Sequence, residues 1–192
     1  MTPLTQVRSR TVVIASTNID TDQIIPARFL TTTDKAGLGE RLFADWRYLA
    51  DGAPNPAFVL NQAQAGGSRI LVAGRNFGCG SSREHAAWAL LAYGFQAVIS
   101  TEIADIFKSN ALKNGLLPIT VDAGTAQWLL AHPGAEVDID LGETRLRLPN
   151  GAAVSFPIDA FARYCLMHGT DELDFLRGKL PDIEHYERAR PW

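Results

Sequence analysis

The spacing of apolar residues divides the chain into a mixed first part, a regular middle and a strand-rich last part. A β-branched run, TVVIAS at 11–16, predicts a buried strand. A polar segment rich in Asp, Asn and Thr follows at 17–30 and predicts turns. A helix is then predicted across 37–52, with Gly52 as its end. The apolar residues that recur there at helical spacing are Leu38, Leu42, Trp46 and Leu49.

The middle of the chain alternates between short apolar runs and helical patterns. Gly94 and Gly115 follow the two helical patterns, where a C-cap favours a residue without a side chain. An order of strand, helix, strand, helix, strand is typical of parallel βαβ units, so we expect a parallel sheet. The predicted strands lie at 69–75, 97–101 and 116–121, and the predicted helices at 82–93 and 102–114.

The last part of the chain changes to alternating apolar and polar residues. The alternation covers 136–159, and turn signals at Gly142 and Asn150-Gly151 interrupt it, which predicts antiparallel strands. Two short helices are predicted at 160–169 and 171–178. No repeat or linker divides the chain, so we expect a single mixed α/β domain over residues 1–192.

Composition narrows the function classes. A hydrophobic content of 46% and a charged content of 20% are those of an ordinary globular protein. A net charge of −3 argues against a nucleic-acid surface, which needs a clustered excess of Lys and Arg. No stretch reaches the roughly 18 apolar residues of a membrane span. The first ten residues lack the apolar run of a secretory signal, so the cytoplasm is the expected location.

The cysteine and histidine content predicts no metal site on this chain. Cys79 and Cys165 are the two cysteines, too few for a disulfide framework. They are also too few for an iron–sulfur cluster, which usually takes three or four thiolates. The four histidines are scattered and form no HExxH motif.

A glycine- and serine-rich stretch, NFGCGSSREHAAWAL at 76–90, carries the most specific signal. In a purely structural interpretation, Ser81 and Glu84 have the spacing of a capping box at the start of the predicted helix. In a functional interpretation, the unpaired N–H groups and the positive end of the helix dipole bind an anion. They also lower the cost of a serine alkoxide, and Arg83 can grip a carboxylate with two hydrogen bonds. The two interpretations are compatible.

Other motifs fit this stretch less well. A P-loop needs a Lys after its glycines, and a dinucleotide fingerprint needs a third glycine where Arg83 stands. The GxSxG nucleophile elbow is absent. Cys79 as a thiolate nucleophile, with His85 as its base, lacks an evident third group to orient the base.

Three segments together resemble the aconitase superfamily. These are NIDTDQIIPARF at 18–29, GRNFGCGSSREHAAWAL at 74–90 and IADIFKSNALKNGLLPI at 103–119, in the same order as in that family. The segments LFADWRYL and CGSSREHA are most similar to those of the bacterial small subunits of isopropylmalate dehydratase. The resemblance implies the swivelling β/β/α domain of the superfamily's C-terminal domain. It also implies a large-subunit partner that carries a [4Fe-4S] cluster, with no cofactor bound by this chain.

The resemblance further implies a reaction and the residues that perform it. The implied activity is a hydro-lyase that isomerises 2-isopropylmalate to 3-isopropylmalate through isopropylmaleate, in leucine biosynthesis. Ser81 corresponds to the catalytic serine base, Arg83 to an arginine that binds a substrate carboxylate, and Ser82 to a contact beside them. Asp22 and Thr21 match a Thr-Asp pair that lines the same cleft, although an Asx-type turn explains them equally well.

Three questions stay open at this stage. Arg28 aligns only loosely with a family arginine, and a surface role is favoured. The substrate could be a related dicarboxylate of the citraconate or homoaconitate type, since specificity depends on the segment after the first motif. The run Leu30-Thr31-Thr32 within that segment favours the leucine-pathway type. An alternative function of a different class is a non-catalytic anion-binding or assembly module.

Overall fold

The computed structural model describes residues 1–30 and 37–190. The strands are β1 (Gln6–Ile14), β2 (Ile70–Ala73), β3 (Ala97–Ser100), β4 (Leu117–Thr120), β5 (Glu136–Asp140), β6 (Arg145–Arg147) and β7 (Ala153–Ser155). Over the described residues they form one seven-stranded sheet in the order β4-β3-β2-β1-β5-β6-β7. Strands β1 to β4 run parallel, and β5 to β7 continue the sheet in antiparallel fashion, as the sequence predicts.

Strand β1 joins the parallel and antiparallel parts of the sheet. Its second half pairs with β2 from Thr11 onward, and its first half pairs with β5 through Arg10. The strand therefore begins earlier than the predicted 11–16. Residues 6–10 alternate between exposed and buried positions, which suits an antiparallel partner on one face of a sheet.

The helices are α1 (Thr21–Ile24), α2 (Leu38–Arg41), α3 (Ala44–Arg47), α4 (Glu84–Tyr93), α5 (Asp105–Asn114), α6 (Ala123–Ala131), α7 (Ala160–His168), α8 (Glu172–Gly178) and α9 (Leu180–Ala189). Short 3₁₀ turns lie at Ala27–Phe29, Val59–Asn61 and Ala63–Ala65. The predicted positions of α4, α5, α7 and α8 are confirmed within a few residues, and Gly94 and Gly115 are left-handed C-caps as expected. Helices α6 and α9 were not predicted.

The single helix predicted across 37–52 is wrong. The chain forms two one-turn helices there, α2 and α3, and Phe43 between them is left-handed with φ 50°. The Phe43 N–H donates to the Ile24 carbonyl at 2.8 Å, and its fully buried ring stacks on Trp46 at 5.5 Å between centroids. These tertiary contacts outweigh the helical spacing of the apolar residues.

Alternate residues of the parallel strands supply two hydrophobic cores, one on each face of the sheet. In β2, Leu71 and Ala73 pack in the core that includes α4 and α5, and Ile70 and Val72 pack in the core that includes α6 and α7. The parallel arrangement brings the carboxyl ends of β1, β2 and β3 to one edge of the sheet. Ligands of open α/β sheets gather at such an edge.

At that edge the backbones following β1 and β2 approach closely at Gly74. A Cβ built on Gly74 would lie 2.3 Å from the Ser16 carbonyl oxygen. We expect Gly74→Ala to lower the free energy of unfolding by about 1–3 kcal/mol, because backbone must move to admit the methyl group. Urea denaturation of the purified chain measures this.

The matched control is Gly178→Ala, since a Cβ at Gly178 meets nothing within 4 Å and its φ is not positive. Gly178 ends α8, so alanine there leaves stability unchanged or raises it by about 0.5–1 kcal/mol. An equal loss in both variants would contradict the close approach at Gly74.

Candidate active site

The serine loop, residues 74–83, leaves the carboxyl end of β2 and is held on one side by the segment that follows β1. The Gly78 N–H donates to the Ile19 carbonyl at 2.7 Å, and the Thr21 N–H donates to the Cys79 carbonyl at 2.9 Å. The two segments pair like a short parallel ladder. The first and second sequence motifs are thereby joined by backbone hydrogen bonds.

The segment after β3 holds the other side of the serine loop. The Phe77 N–H donates to the Glu102 carbonyl at 3.0 Å, and the Ala104 N–H donates to the Phe77 carbonyl at 3.0 Å. Arg75 and Glu102 add an exposed ion pair at 2.7 Å. All three sequence motifs therefore meet at the serine loop, which lies between the other two.

Glycine is required at position 78 for two reasons. Gly78 is left-handed with φ 74°, where other residues are strained. A Cβ there would also lie 2.4 Å from Cγ of Phe107 on α5. The loop thus packs its backbone directly against α5, which fixes its height above the sheet edge.

Thr21 lies beneath the serine loop. Its side chain is 1% exposed, and its hydroxyl donates to the Ser81 carbonyl at 2.9 Å. The resemblance predicts Thr21 as a substrate contact in the cleft, and this geometry adds a role as an anchor for Ser81.

The predicted capping box of Ser81 and Glu84 is wrong. Helix α4 begins at Glu84, Arg83 occupies the N-cap with an extended backbone, and no described side chain caps the helix. Glu84 instead accepts a hydrogen bond from Nδ2 of Asn114 at 2.7 Å. The Thr21 hydroxyl binds the Ser81 carbonyl and Asn114 binds the Glu84 carboxylate, so both residues are held by other elements and α4 begins only at Glu84.

A complete capping box does exist, one motif earlier. Asp20 caps α1 by accepting from the Gln23 N–H at 2.7 Å, and the Gln23 side chain accepts from the Asp20 N–H at 2.9 Å. The spacing of Asp20 and Gln23 is the signal that could have revealed it. This box gives Thr21 and Asp22 a defined position facing the serine loop.

The start of α4 presents unused hydrogen-bond donors. In the described parts of the chain, the N–H groups of Ser82, Arg83 and Glu84 donate to no protein acceptor. The hydroxyls of Ser81 and Ser82 likewise make no hydrogen bond to a described residue, and both residues are exposed. The positive end of the α4 dipole therefore faces solvent beside two hydroxyl groups.

Arg83 and Asp22 form an ion pair across the two motifs. One guanidinium nitrogen, Nη1, contacts Oδ1 of Asp22. The Arg83 side chain is only 17% exposed, whereas that of Asp22 is 51% exposed. Asp22 thus orients a largely buried cation whose planar group has further N–H donors for a carboxylate ligand.

Sequence reasoning missed the network that holds Glu84. Trp88 on α4 donates its indole N–H to Oδ1 of Asn114 at 2.7 Å, and Nδ2 of Asn114 also bonds to the Asn110 carbonyl at 2.9 Å. His85 packs on Trp88 with ring centroids 4.7 Å apart. Asn114 at the end of α5 thereby links the start and the middle of α4. No spacing rule connects residues of two different helices in this way.

The surroundings of Cys79 and of Arg28 do not favour a catalytic role for either residue. Burial, and to a lesser degree the Asp20 carboxylate, raises the pKa of the Cys79 thiol, which disfavours a thiolate nucleophile at neutral pH. Arg28 is exposed and contacts Asp45 at 2.5 Å. Of the run favouring the leucine-pathway substrate, Thr31 and Thr32 lie outside the described residues.

The described residues contain neither a metal-binding cluster nor a membrane-spanning helix. No group of three or more His, Cys, Asp or Glu side chains in residues 1–30 and 37–190 is arranged to hold a metal ion. Among the helices described, none is both long and apolar enough to cross a membrane. A groove of about 620 Å³ is lined by Glu84 and by residues of α5, α7 and α8 rather than by the two serines.

The hydroxyl of Thr21 is expected to hold the serine loop against α1. In Thr21→Val the side chain keeps its volume but loses the bond to Ser81, at a cost of about 1 kcal/mol. Amide exchange at Thr21 and Gly78, measured by NMR, should accelerate about fivefold for that loss. Thr21→Ser, which keeps the hydroxyl, is the control, and equal exchange in both variants would contradict the anchoring role.

The chain is similar to one family model and to several named proteins. The family model of the aconitase C-terminal domain matches residues 1–124. The 3-isopropylmalate dehydratase small subunit of Anaeromyxobacter dehalogenans is 59% identical over 99% of this chain and 100% of its own. That of a Roseiflexus species is 55% identical over 100% of this chain and 96% of its own. A solved 3-isopropylmalate dehydratase structure from Methanocaldococcus jannaschii has a TM-score of 0.68 at 27% identity, covering 95% of this chain and 99% of that one.

These similarities confirm the family and the fold class that the three sequence motifs predict. They extend over the whole chain, including the antiparallel strands and terminal helices beyond residue 124. The chain belongs to the aconitase C-terminal domain family and, within it, to the small subunits of 3-isopropylmalate dehydratase.

Proposed function

We propose that this chain supplies the base and a carboxylate-binding group to a two-subunit dehydratase that interconverts 2- and 3-isopropylmalate through isopropylmaleate in leucine biosynthesis. The observation that carries the proposal is the exposed pair Ser81 and Ser82 beside Arg83, at a helix start that no described side chain caps. A serine loop with a purely structural role would be expected to use its hydroxyls for capping.

Ser81 is the proposed base. As an alkoxide it takes the proton from the substrate carbon next to the one that loses hydroxide, and it returns a proton when water adds in the other direction. A free serine hydroxyl is too weak an acid for this at neutral pH. The N–H groups of Ser82, Arg83 and Glu84 and the positive end of α4 stabilise negative charge nearby, which lowers the cost of the alkoxide.

Arg83 is the proposed ligand of a substrate carboxylate, with Ser82 as a second contact. A guanidinium grips a carboxylate through two parallel hydrogen bonds, and Asp22 holds this guanidinium in one orientation. We assign the half-exposed Asp22 to the margin of the same cleft, which its motif predicts and its contact with Arg83 supports. Thr21 acts beneath these groups by fixing the Ser81 backbone.

A large subunit is the proposed partner, and we place a [4Fe-4S] cluster on it. The two cysteines of this chain do not fit such a cluster, which usually takes three or four thiolates. When bound on the large subunit, the cluster supplies Lewis-acid assistance to the departing hydroxyl. We further propose that residues 1–192 act as one swivelling domain over the partner, in the cytoplasm, where free thiols persist.

An anaerobic assay tests the proposal. The isolated chain, its large subunit and their mixture are each supplied with 3-isopropylmalate, and absorbance follows the isopropylmaleate that forms. We expect turnover only in the mixture. No turnover with an intact cluster would overturn the proposed substrate. Activity of the same mixture on citraconate would then identify a related dicarboxylate, and its absence would favour a non-catalytic module.

Ser81→Ala should abolish most turnover while the two subunits still associate. Loss of a general base lowers kcat by about 10²–10⁴-fold. Ser155→Ala, an exposed serine on β7, is the matched control and should keep the normal kcat. Steady-state kinetics of the reconstituted complex give the answer, and an undiminished kcat in Ser81→Ala would exclude Ser81 as the base.

Arg83→Lys separates the planar guanidinium from its charge. We expect KM to rise by roughly 10–100-fold, because an ammonium group cannot make the paired hydrogen bonds to a carboxylate, which contribute about 1.5–3 kcal/mol. Arg75→Lys is the control within the same loop, since Arg75 forms an exposed pair with Glu102. A similar KM for both variants would contradict substrate binding by Arg83.

A further inference from the structure

The last two helices carry an apolar stripe that nothing in the described chain covers. Each of its residues is between 42% and 57% exposed. Leu173 and Leu176 are three residues apart on α8, and Leu180, Ile183 and Tyr186 recur every three residues on α9, so each set lies on one face of its helix. The stripe consists of Leu173, Leu176, Leu180, Ile183 and Tyr186.

Helix α9 gains little stability from contacts with the rest of the described chain. Every one of its residues is exposed, and a helix of ten residues is marginal in water without tertiary packing. Pro181 separates it from α8, because proline cannot donate in the helix and crowds the carbonyl four residues earlier. An uncovered helix of this kind indicates that its packing surface lies on another molecule.

Helix α8 is fixed to the body of the protein on its opposite side. Phe175 meets Phe161 and Tyr164 of α7 edge to face, with centroids 5.0 Å and 5.6 Å apart. Leu173 and Leu176 are left outside this contact. The packing of α8 on α7 therefore holds the first part of the apolar stripe in a defined position.

One groove is lined both by the first residue of α4 and by the apolar stripe. The groove of about 620 Å³ includes Glu84, next to Arg83, and Leu173 of the stripe in its lining. The charged side chains of this groove have both signs, with Asp159, Asp171 and Glu172 on the side of α7 and α8 and Lys108 and Lys113 on α5. A molecule that fills the groove would meet both the start of α4 and the apolar stripe.

We infer that the apolar stripe of α8 and α9 is a docking surface for the large subunit. The inference rests on the proposed function, which needs the large subunit to cover the serine loop. One occupant that spans the groove explains both the open helix start at Arg83 and the uncovered stripe at Leu173. Its contacting face is apolar where it covers the stripe and carries charges of both signs where it meets the acidic and basic side chains of the groove.

Ile183→Asp in the full chain tests the surface. A charge at the middle of α9 should weaken binding of the large subunit at least 10-fold, measured by titration calorimetry, because a buried apolar contact would then hold an unpaired carboxylate. Glu184→Gln is the matched control on the neighbouring position, which pairs with Arg188 at the exposed surface, and its affinity should not change. At saturating small subunit, kcat of Ile183→Asp should equal that of the unaltered chain.

A second variant and a second measurement keep the outcomes distinct. A chain that ends at Lys179 should lose affinity at least as far as Ile183→Asp, and the melting temperature of each isolated variant reports whether it is folded. Unchanged affinity in folded variants would overturn the inference. If only the sedimentation of the isolated chain changes, the stripe binds a second copy instead, which also overturns it. Ser81→Ala distinguishes failure of the proposed function, since it affects kcat and leaves this affinity intact.

Discussion

The backbone hydrogen bonds that hold the serine loop between its two neighbouring segments determine what the rest of the site can do. Gly78 and Phe77 donate in opposite directions, to the segments after β1 and β3, so the loop is fixed at both sides before any side chain takes part. This arrangement is available only because β1, β2 and β3 run parallel and end at one edge. The chemistry of Ser81 therefore depends on sheet topology as much as on the residues of the loop itself.

The open start of α4 is a local loss of stability that other contacts offset. A helix without a side-chain cap gives up about 1 kcal/mol. Asn114 binds the Glu84 carboxylate and Thr21 binds the Ser81 backbone carbonyl, so other elements hold both potential capping residues while the Ser81 hydroxyl stays open. The buried face of α4, including Ala86 and Leu90, anchors the helix in the core. The N–H donors at the start of α4 therefore stay unpaired within the described chain, with Arg83 held in the N-cap position beside them.

Local patterns allowed much of the fold to be predicted, and tertiary hydrogen bonds account for the failures. The alternation of strands and helices from β2 to β4 follows from short apolar runs and glycine C-caps, which are local signals. The predicted helix at 37–52 and the predicted cap at Ser81 both followed correct local spacing. Each failed because a residue distant in sequence, Ile24 or Thr21, binds the backbone at that point. The three motifs identified the family, but their spacing could not place Asn114 beside Glu84.

The open start of α4 and the exposed apolar stripe have a common physical explanation. A helix start with unpaired donors favours an anion, and an exposed apolar stripe favours another apolar surface, so each is less stable in water than in contact with its partner. Glu84 beside the helix start and Leu173 of the stripe line one groove, which places both features within reach of a single large molecule. The swivelling small subunit that we propose needs its strongest contact away from the reacting groups, so that closure can adjust Ser81 and Arg83 without breaking the complex. A stripe carried on the terminal helices α8 and α9 meets that need, because the core of the sheet does not depend on it.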